Sequence, residues 1–311
     1  VPPSVRELRD CAYEGCTSIE SVTLPASLPS VGGGAFRGCT SLRSVSLPPT
    51  VESVGDGAFS GCSSLATLTL PEGLRRLGSN AFDGCPLESV TVPASLESTG
   101  AHRWAGGPFE GSSLRSATLA EGSARVVPGL FSGCSKLSSV SVPGTVTSVG
   151  EYAFRGCSGL PASLEVPPSV RELRDCAYEG CTSLESVTLP PTVESVGDGA
   201  FSGCSSLASL TLPEGLRGLG AYAFSGITLG RLLPLGRSCP IRRRLGYVVL
   251  GRLLPLGRAR AIWRRLGRSV ASVALRRRRQ LGRGGPQHLG GDLGVRAIRG
   301  HTHDQRGGQE Q

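Results

Sequence analysis

The chain has 311 residues and a formal net charge of +9, but that charge is divided unevenly. Residues 1–227 carry 14 Lys and Arg against 21 acidic residues, whereas residues 228–311 carry 19 Arg against three acidic residues. An acidic body and a basic tail need separate explanations. No uninterrupted apolar run approaches the roughly 20 residues that a membrane-spanning helix needs, so we predict no transmembrane segment.

The first residues read VPPSVREL, and the same eight letters recur at residues 166–173. The chain therefore begins inside a repeated unit, and we expect its N-terminus to be incomplete. Because a targeting segment would lie upstream, the sequence leaves the compartment open.

A repeated unit of about 23 residues organises residues 1–226. Its clearest mark is an aromatic residue, usually after Ala, at intervals of 22 to 27 residues. The marks are Tyr13, Phe36, Phe59, Phe82, Phe109, Phe131, Phe154, Tyr178, Phe201 and Phe224. A period of 20 to 29 residues combined with Leu-x-x-Leu-x-Leu predicts a solenoid of leucine-rich repeats, here about ten of them.

Each unit contains an alternating apolar segment such as Leu65-Ala-Thr-Leu-Thr-Leu70, followed by Pro71. Alternation predicts a short strand with one buried face, and the proline ends it. Val51 and Val54 are expected to form the opposite wall, Gly55 to permit a tight bend, and Phe59 to fill the interior. The fold class we predict is an α/β-type repeat, mainly β, forming a right-handed solenoid of short parallel strands.

These units resemble the BspA-like leucine-rich-repeat family, whose repeats read Leu-Pro-x-x-Val-x-x-Val-Gly-x-x-Ala-Phe-x-Gly-Cys-x-x-Leu. The resemblance covers residues 1 to about 226. It implies a non-enzymatic recognition protein, often adhesive, at the cell surface or secreted. A cytosolic protein-interaction scaffold is the alternative.

A cysteine follows most of the aromatic residues at a distance of three positions. The set is Cys16, Cys39, Cys62, Cys85, Cys134, Cys157, Cys181 and Cys204. A 23-residue spacing does not gather four metal ligands, and side chains on parallel rungs suit a disulfide poorly. We interpret these cysteines, with the aromatic residues, as a structural ladder, and we predict no metal site. Cys11 and Cys176 align with Gly57, so small size is the expected requirement there.

Catalytic motifs are missing from the sequence. There is no Gly-Lys-Ser/Thr phosphate loop and no His-Glu-x-x-His pair, the motifs that would indicate phosphate binding or a zinc peptidase. Recurrent acids such as Glu7 and Asp56 are expected to be solvated charges on turns. We therefore predict no enzyme and no cofactor.

The outward strand positions carry many Ser and Thr with a few charged residues. Short hydroxyl side chains lose little entropy when ordered and can hydrogen-bond a glycan or a protein. Solvated strands favour the same residues without any ligand, so both interpretations stand. The charged candidates for ligand binding are Glu20, Arg43, Glu88, Arg115 and Glu185.

One unit departs from the pattern. Between Ser98 and Phe109 the chain has five more residues than the other units, and they include His102, Arg103 and Trp104. An exposed Trp beside Arg is typical of binding hot spots, so we predict that this insertion carries specificity for a protein or glycan ligand. The alternative is a Trp that folds back over the irregular unit.

Residues 227–311 lose the repeat and form a basic, low-complexity tail. A basic amphipathic helix is expected at 260–281, where apolar residues recur at helical spacing, with disorder elsewhere. Such a tail could bind nucleic acid or an anionic membrane. The abrupt loss of the repeat is also typical of a gene-model artefact.

Overall fold

The computed structural model describes residues 1–227 and 231–232. The described residues contain no helix and fold as a solenoid of parallel strands. Each turn of the solenoid, called a coil here and numbered by its aromatic residue from Tyr13 to Phe224, has three sides. Two sides carry strands, and the third carries the turn that contains the Ala-Phe pair. The basic tail, with its expected helix at 260–281, falls outside the described residues, apart from Ile227, Arg231 and Leu232.

The first strand row comes from the Leu-x-x-Leu-x-Leu segments. Its strands are β1 (Ser21–Thr23), β3 (Ser44–Ser46), β6 (Ser89–Val92), β8 (Ser116–Leu119), β10 (Ser139–Ser141), β12 (Ser163–Glu165), β14 (Ser186–Thr188), β16 (Ser209–Thr211) and β18 (Arg231–Leu232). They pair in register as β1-β3, β6-β8-β10 and β12-β14-β16-β18, all parallel. The row thus continues to Arg231–Leu232, beyond the end of the recognisable repeat at Gly226.

The second strand row comes from the Val-x-x-Val-Gly segments. Its strands are β2 (Ser30–Val31), β4 (Ser53–Val54), β5 (Arg76–Leu77), β7 (Ser98–Thr99), β9 (Arg125–Val126), β11 (Ser148–Val149), β13 (Glu172–Leu173), β15 (Ser195–Val196) and β17 (Gly218–Leu219). They form the sheets β2-β4-β5-β7 and β9-β11-β13-β15-β17. The row is interrupted between β7 and β9, where the inserted residues leave the coil.

The segment at residues 65–70 keeps its alternating burial but forms no strand. Leu65 and Leu70 are buried, Leu68 is half-buried, and the residues between them are exposed. The prediction of a strand at residues 65–70 is therefore wrong. The three leucines nevertheless face inward, as predicted. The solenoid tolerates the gap because the second strand row and the turn side still join these coils.

The turn side, which we call the turn face, is held by a backbone ladder. The Phe59 N–H donates to the Ala81 carbonyl at 2.7 Å, and the Phe201 N–H donates to the Ala223 carbonyl at 2.8 Å. Each coil thus donates to the next one along the chain, so the turns satisfy their backbone groups without forming strands.

The core is a column of stacked aromatic rings. All ten predicted aromatic residues stack in order, with ring centroids of neighbours 5.1 to 6.5 Å apart. The widest step, between Phe109 and Phe131, follows the irregular coil. Phe36, Phe59, Phe82, Phe109, Phe131 and Phe201 are fully buried, and offset aromatic pairs add about 0.5–1.5 kcal/mol beyond burial.

The cysteine column lies beside the rings, and its thiols bond to the preceding coil. Cys62 Sγ donates to the Phe36 carbonyl at 3.1 Å, and Cys204 Sγ donates to the Tyr178 carbonyl at 3.1 Å. Cys39, Cys85, Cys134, Cys157 and Cys181 make the same contact. Cys16, in the first coil, is half-buried. All ten cysteines in the described residues are free, and none of them belongs to a group that could hold a metal ion.

The sequence suggested that Gly55 permits a tight bend. In the structure, Gly55 instead allows the backbones of two coils to approach closely. Its φ is not in the left-handed region, but an added Cβ would lie 2.5 Å from the Gly33 nitrogen. Backbone atoms of the second and third coils approach closely at this corner, so a side chain at position 55 would force one of them to shift.

Candidate functional site

The inserted residues form a tight hairpin on the turn face. His102 and Ala105 exchange two backbone hydrogen bonds of 3.1 and 3.2 Å, so Arg103 and Trp104 occupy the tip. The Trp104 N–H also donates to His102 Nδ1 at 3.2 Å. His102 is therefore a structural part of the hairpin, while Arg103 and Trp104 are presented by it.

Trp104 is 85% exposed, so it does not fold back over the irregular coil. The Arg103 guanidinium lies 5.2 Å from the centroid of the Trp104 ring. The hairpin belongs to the fifth coil but reaches the seventh, because Arg155 Nη1 donates to the Arg103 carbonyl at 3.0 Å. Arg155 also pairs with Glu179 of the eighth coil at 3.2 Å.

A groove of about 420 Å³ lies beside this contact and runs along the turn face over the seventh to tenth coils. Trp104, Tyr152 and Tyr222 supply its aromatic walls, and Tyr222 is 75% exposed. The floor contains Asp175, Cys176, Glu179, Asp198, Gly199 and Ser202. We call this feature the turn-face groove.

The carboxylates on the floor are fixed by the fold. Asp175 Oδ1 accepts from the Asp198 N–H at 2.7 Å, and Asp198 Oδ1 accepts from the Ala221 N–H at 2.6 Å. Asp10 and Asp56 make the same bond to the coil that follows them. Asp56 is an exposed charge on a turn, as expected, and its carboxylate also caps a backbone donor of the next coil.

The thiol of Cys176, on the floor of the groove, is not an activated nucleophile. Burial and the neighbouring carboxylate of Glu179 raise the pKa of Cys176 to about 11, so its thiol stays protonated at neutral pH. Burial also raises the pKa of Tyr152 above its usual value. The side chains that line the groove can hydrogen-bond and stack.

The five charged strand residues lie on a different side of the solenoid. Glu20, Arg43, Glu88, Arg115 and Glu185 each immediately precede a strand of the first row, and all five are exposed. Residues of this set that lie on neighbouring coils are joined by backbone hydrogen bonds. For example, the Arg43 N–H donates to the Glu20 carbonyl at 2.8 Å. No described contact joins this column to the hairpin. The structure brings His102, Arg103 and Trp104 together and leaves the five charged residues spread over coils 1, 2, 4, 5 and 8.

Comparison with known proteins identifies the repeat. A family model described as the BspA type leucine rich repeat region matches residues 1–106 and 107–230, in six copies. The chain belongs to the BspA-type leucine-rich-repeat family. As in other leucine-rich-repeat proteins, its repeats form a scaffold suited to binding. No curated protein matches the chain.

Several solved structures are similar to this BspA-type chain. A leucine-rich repeat protein from Treponema pallidum is 30% identical, over 73% of this chain and 84% of that one, with a TM-score of 0.36. One from Bacteroides ovatus is 21% identical, over 73% and 83%, with a TM-score of 0.38. The pneumococcal vaccine antigen PcpA is 22% identical, over 67% and 60%, with a TM-score of 0.45. Among the described residues, no helix has the length and apolar character to cross a membrane.

Sequence reasoning about this BspA-type chain missed Tyr152 and Tyr222. Both align with Gly57, as do Cys11 and Cys176, and small size was the expected requirement there. The structure corrects this, since what these positions share is a left-handed backbone, with φ values of 54° to 59°. A large residue in this column was the signal that could have identified them.

Proposed function

We propose that this chain is a non-catalytic recognition and adhesion scaffold that binds a protein or glycan ligand on its outer surface. The specificity element is the hairpin at residues 102–105. The observation that carries this proposal is the exposure of Trp104 at the tip of a hairpin fixed to a rigid solenoid. Functional residues tend to lie on loops that a rigid scaffold positions, and Trp and Arg dominate binding hot spots.

A direct test immobilises the full chain and probes it with a panel of extracellular-matrix proteins and with a printed glycan array. Salt of about 0.5 M screens exposed charges, so polyanions held by the Arg-rich tail are released. We expect Trp104→Ala to weaken the binding found at least tenfold, because a hot-spot side chain contributes about 2 kcal/mol or more.

Trp263→Ala is the matched control, since Trp263 is the other Trp of the chain and lies in the basic tail. The Trp263→Ala chain should bind the ligand found with the panels as tightly as the unchanged chain does. Equal affinity of the Trp104→Ala chain would show that the hairpin is not the specificity element. Absence of binding to both panels would contradict the recognition function itself.

A further inference from the structure

Two tyrosines stand in the turn-face groove at positions where the backbone disfavours them. Tyr152 and Tyr222 both have φ of +57°, whereas Gly34, Gly57, Gly129 and Gly199 occupy the equivalent place in other coils. A left-handed residue with a side chain costs about 1–2 kcal/mol. Since Gly serves the fold equally well at this position, the tyrosines are not needed for folding.

The positions between these tyrosines are small. Cys176 and Gly199 occupy the same column in the eighth and ninth coils, so an open slot lies between the two aromatic walls. Tyr152 and Tyr222 are three coils apart, which is about 14 Å at roughly 4.8 Å per coil. Trp104 lies at the end of the slot nearer Tyr152, on the hairpin that Arg155 holds in place.

The residues on the floor of the groove have copies in the first and third coils, whereas the aromatic walls have none in the copied blocks. Residues 167–189 copy residues 2–24 with one change, and residues 190–217 copy residues 48–75 with one change. The floor lies within the copied blocks, so Asp10 and Glu14 are the counterparts of Asp175 and Glu179. All three aromatic walls lie outside those blocks. Trp104, Tyr152 and Tyr222 are therefore features of the groove that the copied coils lack.

The charges of the groove nearly cancel. Arg103 and Arg155 oppose three carboxylates, and Arg155 is paired with Glu179. Arg103 lies over the Trp104 ring, and Arg155 lies 6.0 Å from the Tyr152 ring centroid. A cationic ligand would therefore be repelled by a guanidinium group at each of these two rings. An anionic ligand would meet the carboxylates. The groove therefore favours a polar ligand without net charge.

We propose that the turn-face groove binds a short neutral oligosaccharide, which deepens and rests on the proposed function. The apolar C–H faces of sugar rings stack on Trp104, Tyr152 and Tyr222, because aromatic side chains combine an apolar body with a polar edge. Sugar hydroxyls donate to the Glu179 carboxylate and to the Oδ2 atoms of Asp175 and Asp198, because carboxylate oxygens accept hydrogen bonds. The slot has the length of a tri- or tetrasaccharide.

The experiment probes a printed array of neutral and acidic glycans with the full chain at about 0.5 M salt, which screens exposed charges. We expect a neutral oligosaccharide of at least three sugars to bind, and its binding to fall at least tenfold in Trp104→Ala and in Tyr222→Gly. Tyr222→Gly should unfold at the same or a higher urea concentration than the unchanged chain, since Gly accepts the left-handed backbone, so lost binding would not reflect lost folding.

Glu179→Gln and Glu14→Gln form a matched pair, because they make the same change in copied blocks. Only Glu179→Gln should weaken glycan binding. The inference is overturned if neutral glycans do not bind, or if they bind equally well to the Trp104 and Tyr222 variants. Binding confined to the matrix-protein panel would overturn this inference and leave the proposed function standing, whereas absence of all binding would remove both.

Discussion

The buried thiols of the cysteine column connect residue chemistry with stability. Burial raises the pKa of Cys62 and of Cys204 from 9.0 to about 12 in each case. Both thiols donate to a backbone carbonyl of the preceding coil, and this contact requires the proton. The column therefore stabilises the solenoid only while its cysteines are protonated.

We predict that the chain loses stability as the pH rises above 9. The unfolded chain releases thiol protons near pH 9, whereas the native state retains them until about pH 12. The contribution of each buried thiol to the free energy of unfolding is complete below pH 9 and is lost between pH 9 and about 12. The loss is about 1.4 kcal/mol per pH unit for each thiol. Urea unfolding at pH 8, 9 and 10 measures the slope.

The control is the double variant Cys62→Ala, Cys204→Ala. It is less stable at pH 8, because two buried contacts are lost, but its stability should fall less steeply with pH. The same slope in both proteins would contradict a role for these thiols in the alkaline loss.

Among the elements, the hairpin depends on the glycines that follow it. An added Cβ on Gly107 would lie 2.5 Å from the Gly129 carbonyl oxygen and 2.7 Å from the Ser132 carbonyl oxygen. These are backbone atoms of the next coil and cannot move aside cheaply. The chain thus returns from the hairpin to Phe109 through a passage that only Gly fits.

We predict that Gly107→Ala lowers the free energy of unfolding by about 1–3 kcal/mol, as overpacking does. Gly144→Ala is the matched control. An added Cβ there has no heavy atom within 4 Å, so it should leave stability unchanged or raise it by about 0.4–1 kcal/mol. Urea denaturation compares the two, and equal effects would show that close approach does not constrain the hairpin.

The elements also show how far sequence alone could go. Phe59 and Cys62 were predicted as ladder positions because each coil must present the same side chains to its neighbours, which makes inward residues periodic. Contacts between coils that are not neighbours leave no such period. The hydrogen bond from Arg155 to the Arg103 carbonyl spans 52 residues. Tyr222 lines the groove from a position with a left-handed backbone. The sequence predicted a binding role for the insertion, but it did not predict on which side of the solenoid the insertion lies.

In the solenoid as a whole, stability comes from contacts between neighbouring coils. The hairpin is an exception to that rule, because it joins the fifth coil to the seventh across the interruption between β7 and β9. The same contact places Trp104 in the groove. The interrupted repeat is thus where the scaffold gains a feature that its copied coils lack.

We propose that recognition occurs on the turn face and not on the first strand row. Backbone hydrogen exchange of the full chain, with and without the ligand found by the panels, tests this most directly. We predict that bound ligand slows exchange at residues 102–105, 152–155 and 221–224, while residues 20–23 and 43–46 exchange as in the free chain. Protection of the strand residues with no change in the hairpin would contradict the account.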